Sequence, residues 1–194
     1  MTSDPADVVA AFEREPLLLP WPADGNAGGF LQFDTGAQWR DFIAGLGIDA
    51  RIPDIVRIKF DRAQRLYLFG WIDFGLIKAG ELAALIALEL ALMDRYGHAI
   101  PKRKRSFATL LLHMVQVDGL TEAQVPMWVR CGGGGIGQLT GDNHPSLAER
   151  RNLLAHGDPF DGFPTGGLLE LVRDLINYAY RSYIAEAAAL GRPG

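Results

Sequence analysis

Glu81-Leu82-Ala83-Ala84-Leu85-Ile86-Ala87-Leu88-Glu89-Leu90-Ala91-Leu92-Met93-Asp94-Arg95-Tyr96 is the stretch whose reading decides the fold. Leu82, Leu85, Ile86, Leu92, Met93 and Tyr96 recur at the three- and four-residue intervals of a helical stripe. Ala83, Ala84, Ala87, Leu88, Leu90 and Ala91 make the remaining faces apolar too. A helix that is apolar nearly all round is a central one, covered on several sides. It is too short and too charged to span a bilayer, with Lys78, Glu81, Asp94 and Arg95 at its margins and Glu89 within it. A carboxylate in such surroundings needs a partner. For Glu89, Arg151, Arg95 or a hydroxyl would serve.

Upstream, the apolar rhythm starts near Pro53, and Gly70, Gly75 and Gly80 divide it into helices over about 53–74 and 77–96. In the first of these, Ile55, Ile58, Leu66 and Phe69 share one side; Arg57, Lys59, Asp61 and Arg62 lie on others. Nearer the start, Ser3 or Asp4 caps a short helix with Pro5 near its first turn. Residues 16–36, rich in Pro and Gly, read as a loop with one short strand at Phe30-Leu31-Gln32-Phe33, and Trp39, Phe42, Ile43 and Leu46 mark an amphipathic helix over 37–46. Downstream, a helix begins near Ser106 with Leu110, Leu111, Met114 and Val115 inward. Thr121 caps a short helix holding Val125, Trp128 and Val129. Residues 132–145 form a loop, a short helix runs from Pro145 to about Ala155, and a last helix covers about 168–189 with Leu169, Val172, Leu175, Ile176, Ala179 and Tyr183 as its stripe. No segment shows the alternation of a sheet core, so the class is all-α, a helix bundle over 51–194 with an N-terminal extension over 1–50.

The 194 residues suffice for one domain with a sizeable core. Hydrophobic residues make up 48% and charged ones 22%, which suits an ordinary globular chain and not a disordered one. A net charge of −4 argues against nucleic-acid binding through overall positive charge, and leaves room for local basic clusters. Cys131 is the only cysteine, so no intrachain disulfide or thiolate cluster is available, as suits a reducing cytoplasm. The start Met1-Thr2-Ser3-Asp4-Pro5 lacks the basic opening of a signal peptide. A cytoplasmic protein without a membrane segment is the expectation.

The chemistry concentrates in Arg151-Asn152-Leu153-Leu154-Ala155-His156-Gly157. Arg is permanently charged and grips phosphate; His titrates near neutrality and moves protons. Metal-free cleavage of RNA needs a base for the 2′-hydroxyl, an acid for the leaving oxygen and positive charge on the phosphorane. One Arg and one His supply two of those parts. Five residues of ideal helix place Arg151 and His156 roughly 140° apart. Either Arg151 curls round, or the helix ends near Ala155, or a second copy of the segment completes the site in a symmetric dimer. The same residues also fit a plain helix terminus, with His156 favoured by the dipole and Gly157 as the left-handed cap.

Arg-Asn-x-x-Ala-His-Gly between two helices near the end of an all-α chain resembles the Arg-x4-6-His motif of the HEPN superfamily, the higher eukaryotes and prokaryotes nucleotide-binding domains. The long helix from Glu81 to Leu92 followed by Arg95-Tyr96-Gly97, then Ser106-Phe107-Ala108-Thr109-Leu110-Leu111 and the Asp118-Gly119-Leu120 turn, is similar to the family's helix order. The resemblance covers residues 53–188. It implies a dimerising helical bundle, often a metal-independent endoribonuclease, in many cases serving toxin–antitoxin or phage-defence systems with a cognate antitoxin as partner. By that resemblance His156 is the acid/base, Arg151 holds the scissile phosphate and Asn152 orients one of them. Members modified by a nucleotidyltransferase carry Tyr two residues after the His, where this chain has Asp158. Asp158 brings negative charge beside the phosphate site, and Glu89, if paired with Arg151, orients the motif from behind. Neither a cofactor nor a metal is called for. The alternative is a non-catalytic HEPN-like module that binds nucleotide, RNA or a protein.

Two further features bear on function. Lys102-Arg103-Lys104-Arg105 is the densest positive run, read as a contact to an RNA backbone, with Arg150 beside Arg151 as a smaller addition; a solvated inter-helix loop is the simpler reading of the run. Gly132-Gly133-Gly134-Gly135-Ile136-Gly137 matches G-x-G-x-x-G but lacks the leading strand, the βαβ setting and the acidic residue for a ribose, so it reads as a loop beside the Arg-His segment, a candidate lid. His98, His113, His144 and Cys131 do not fall at metal-ligand spacings. His113 reads as a core or interface histidine, and His144 as a cap for the helix that carries Arg151.

Overall fold

The computed structural model describes residues 4–157 and 162–190. Among these the chain forms ten α-helices and one two-stranded antiparallel sheet, so it is broadly all-α. Helix α1 (Pro5–Ala11) starts where the sequence places it: Asp4 caps it, its carboxylate accepting from the Ala6 amide at 2.9 Å, with Pro5 at the first turn. Strands β1 (Leu17–Pro20) and β2 (Phe30–Phe33) pair with Leu17 opposite Phe33 and Pro20 opposite Phe30. Only β2 is foreseen. Leu17 and Leu19 of β1 turn inward while Leu18 faces solvent, a period too brief to stand out between prolines. Helix α2 (Gly36–Ala44) follows, capped by Thr35.

Helices α3 (Asp54–Phe69) and α4 (Gly75–Tyr96) form the centre. The inner face of α3 is Val56, Phe60, Ala63 and Tyr67, whereas Ile55 and Ile58 are exposed. Apolar spacing alone offers both faces, and the large side chains Phe60 and Tyr67 are the ones buried. Gly80 does not break α4; it lies inside it, where a Cβ would come within 2.6 Å of the Tyr67 ring. Helix α4 is buried on several sides through Ala84, Leu85, Ala87, Leu88, Ala91 and Leu92, as an all-round apolar helix requires. Ile86 is exposed.

Helix α5 (Phe107–Gln116) is capped by Ser106 and buries Leu110, Leu111 and Met114. A capped 3₁₀ turn at Glu122–Gln124 leads to α6 (Pro126–Cys131). The expected loop over 132–145 contains a short helix, α7 (Ile136–Thr140), bounded by Gly132 and Gly141 at φ +70° and +88°. Helix α8 (Leu147–His156) carries the Arg-His segment. The last expected helix is two, α9 (Leu168–Ala179) and α10 (Arg181–Ala189), joined at Tyr180. The buried Tyr180 hydroxyl donates to Asp94 at 2.6 Å, and the Arg95 guanidinium lies over its ring. Residues of the first fifty, among them Val9, Leu19, Trp21 and Trp39, join the same continuous core as α3, α4 and α9. Trp39 Nε1 donates to the Tyr67 carbonyl at 3.0 Å. No helix among the described residues is long and apolar enough to cross a membrane.

Candidate active site on helix α8

Helix α8 is anchored at its start. Ser146 is the cap and Glu149 completes a capping box: Ser146 Oγ accepts from the Glu149 amide at 3.2 Å, and Glu149 Oε2 accepts from the Ser146 amide at 2.8 Å. Leu147 is buried and Leu154 packs on the core, so the helix lies against α4, α5 and α7 with one side. Most of its other side chains face water.

Arg151 belongs to the inner edge. Its Nε donates to Glu89 Oε2 on α4 at 3.1 Å, with a second nitrogen at 2.9 Å, and a third group reaches Asn152 Oδ1 at 3.4 Å. The pairing of Glu89 with Arg151, one of the partners the sequence offers, is the one formed. Arg95 instead donates to the Ala179 carbonyl at 3.2 Å. Glu89 is only partly buried, however. The fully buried carboxylate of α4 is Glu81, which the sequence places at the margin of the apolar stretch. Glu81 Oε1 accepts from the Thr165 amide, and Lys78 stands 3.4 Å from Oε2. Burial raises the Glu81 pKa, against the lowering effects of Lys78 and Thr165.

His156 lies on the other side. The helix runs through His156 to Gly157, whose φ is +81°. It neither stops at Ala155 nor brings Arg151 round. Glu149, Asn152, Leu153 and His156, at helical spacing, line an open groove of about 640 Å³ together with His144, Pro145 and Gly157. Asn152 thus sits between the two halves of the motif, touching Arg151 and facing the groove of His156.

His144 does not cap the helix backbone. Its Nδ1 meets Glu149 Oε2 at 2.8 Å. The Glu149 pKa is lowered, first by the hydrogen bond to His144 and then by the Ser146 amide, so the carboxylate is ionised beside the imidazole. The groove therefore holds two imidazoles, one of them oriented by a carboxylate. No sequence period reveals this pair, because it spans the Pro145-Ser146 start of α8.

Lys102, Arg103 and Lys104 form an exposed 3₁₀ turn, and Arg105 is tied back by its Nε to the Ile100 carbonyl at 2.8 Å. Among the described residues none of the four is in an ion pair. Arg150 is placed differently: it turns inward, its guanidinium donating to Thr165 Oγ1 at 3.2 Å. In the Gly132–Gly135 run Gly132 is exposed and Gly135 buried, while Gly133 and Gly134 line the cavity that Arg150 reaches. His113 packs on Tyr96 with ring centroids 5.0 Å apart. Asp158 lies outside the described residues. Comparison with family models, with curated proteins and with solved structures finds no match to this chain.

Proposed function

We propose that the protein is a HEPN-type, metal-independent endoribonuclease that uses the outer groove of α8. The observation that carries this reading is the placement of His144 and His156 in one groove, with Asn152 between His156 and the Arg151 guanidinium. Transphosphorylation of RNA needs one group to take the proton of the 2′-hydroxyl and another to give a proton to the departing 5′-oxygen. Two histidines of opposite protonation state perform both tasks. The 2′-oxygen attacks phosphorus, the bond to the 5′-oxygen breaks, and the products carry a 2′,3′-cyclic phosphate and a 5′-hydroxyl. The permanent charge of Arg151, held by Glu89, stabilises the phosphorane.

Because Arg151 and His156 leave α8 on different sides, the reading includes a homodimer in which the Arg151 of one copy serves the groove of the other. The exposed Leu153 beside His156 suits such a seam. Lys102 to Arg105 add sequence-independent contacts to the RNA backbone. The test is incubation of the purified chain with mixed RNA in EDTA, reading fragment ends and oligomeric state. Cyclic phosphate ends from a dimer are expected; EDTA-sensitive cleavage, or 3′-hydroxyl ends, overturns the mechanism. Mixing inactive Arg151→Ala and His156→Ala chains should restore part of the activity, since a mixed dimer keeps one intact Arg-His pair.

A further inference from the structure

A second cavity lies on the inner side of α8, away from the histidine groove. Its volume is about 310 Å³, at the lower end for small-molecule sites. One wall is the N-terminal hairpin connection from Pro20 to Gly29, and another is Gly133, Gly134 and Gln138. Trp128 and Met127 of α6 close a third side with Leu168 and Leu171 of α9. Arg150 reaches in from α8.

The Arg150 guanidinium is incompletely used. One nitrogen donates to Thr165 Oγ1, while Nε is shut away from water without a hydrogen-bond partner. Among the described residues no carboxylate pairs with Arg150. The charged groups nearby are committed elsewhere. Glu170 accepts from Trp21 Nε1 and Arg130, both at 2.9 Å, and Asp174 accepts from the Met127 amide at 2.8 Å and pairs with Arg173. Glu122 packs on Gly134 without lining the cavity. Nε itself is closed off, so an oxyanion in the cavity would meet the terminal N–H groups that the single bond to Thr165 leaves free.

Apart from Gln138, Thr165 and Cys131, the rest of the wall is apolar or bare backbone. Trp21, Trp128, Met127, Leu168 and Leu171 offer apolar and aromatic surface, and the glycines let a ligand approach the main chain. Thr165, which holds Arg150, is itself fixed by the bond from its amide to buried Glu81, so the polar end of the cavity is preformed.

We propose that this cavity binds a small molecule bearing one oxyanion, a carboxylate or a phosphate monoester, on an apolar body about the size of one ring. Arg150 takes the oxyanion and the Trp-, Leu- and Met-lined wall takes the ring. The site gives the hairpin of the first fifty residues and the glycine run a shared role, and it stands independently of the ribonuclease reading.

The test is calorimetric titration of the full chain with benzoate, with phenyl phosphate and with neutral benzyl alcohol. One or both acids should bind at one per chain, at least about tenfold more tightly than the alcohol. Which acid binds more tightly separates a carboxylate ligand from a phosphate one. Arg150→Gln should weaken the acids by about tenfold or more and leave the alcohol unchanged. Should Arg150→Gln fail to fold, Gln138→Glu keeps the test open. Gln138 is partly exposed on α7, and a carboxylate there competes for Arg150 and should weaken both acids. Absence of binding by both acids, equal binding of the alcohol, or acid binding unmoved in the folded variants overturns the proposal.

Discussion

Helices α4 and α8 touch along one line and are built on opposite principles. Helix α4 has 22 residues, buries small and large apolar side chains on several faces and keeps its one fully buried carboxylate, Glu81, bonded to the Thr165 amide. Helix α8 has ten residues, of which Leu147 alone is buried, and is held by its capping box and the Arg151–Glu89 pair. One is held by packing, the other by directed polar contacts at its ends and edge. The difference teaches where substitutions unfold the chain and where they change its chemistry.

The largest contrast in stability should come from Leu88→Ala set against Leu153→Ala. Leu88 is fully buried in α4, and its truncation should cost about 2–5 kcal/mol in denaturant melts. Leu153 is half exposed on α8 and should change stability by less than about 0.5 kcal/mol. Equal costs would break the comparison. Next is Gly80→Ala. Helix propensity alone favours it by about 1 kcal/mol. The Tyr67 ring lies where the new methyl must go, so a net loss of about 1–3 kcal/mol is expected. A stabilised variant would show that α3 and α4 have room to part.

Smaller still is the effect of Arg151→Met. The Arg151–Glu89 pair is partly exposed on both sides and contributes about 0–1 kcal/mol. The variant should melt near wild type while losing RNA cleavage, which separates a phosphate-holding role from a structural one.

The smallest effect is a change of slope with pH. Burial raises the Glu81 pKa, so folding takes up a proton there. Its contribution is therefore fully present below the unfolded value, about 4.3, and is lost as pH rises through the raised folded value. Glu81→Gln keeps an oxygen for the Thr165 amide and removes the titration. Stability measured from pH 4 upward should decline less in the variant than in wild type.

Much of this contrast can be read in the sequence. An apolar run as long as the one from Leu82 to Leu92 has few alternatives to a central helix, and Ser146 with Glu149 three residues on is a local start signal. Charge makes Arg151 an eligible partner for Glu89 across 62 positions, but Arg95 or a hydroxyl is equally eligible until the fold chooses. What the sequence conceals depends on three-dimensional closure. Strand β1 is a Leu-Leu-Leu-Pro segment whose partner lies beyond a Gly-rich turn. The break at Tyr180 has no Gly or Pro to announce it; the bond from Tyr180 to Asp94 and the cover of Arg95 mark it instead. Arg150 and Arg151 are neighbours of equal charge, and only packing sends one to an inner cavity and the other to Glu89. His144 reads as a helix cap before a proline until Glu149 is brought to its Nδ1.

In the proposed function the exposed side of α8 transfers protons at phosphate. The direct measurement is RNA cleavage in EDTA by wild type and by His156→Ala, with circular dichroism melts on both. Cyclic phosphate ends are expected from wild type, with a loss of about a hundredfold or more in the variant and matching helical content and melting. Cleavage surviving in folded His156→Ala would contradict it, as would a wild-type chain that leaves RNA intact.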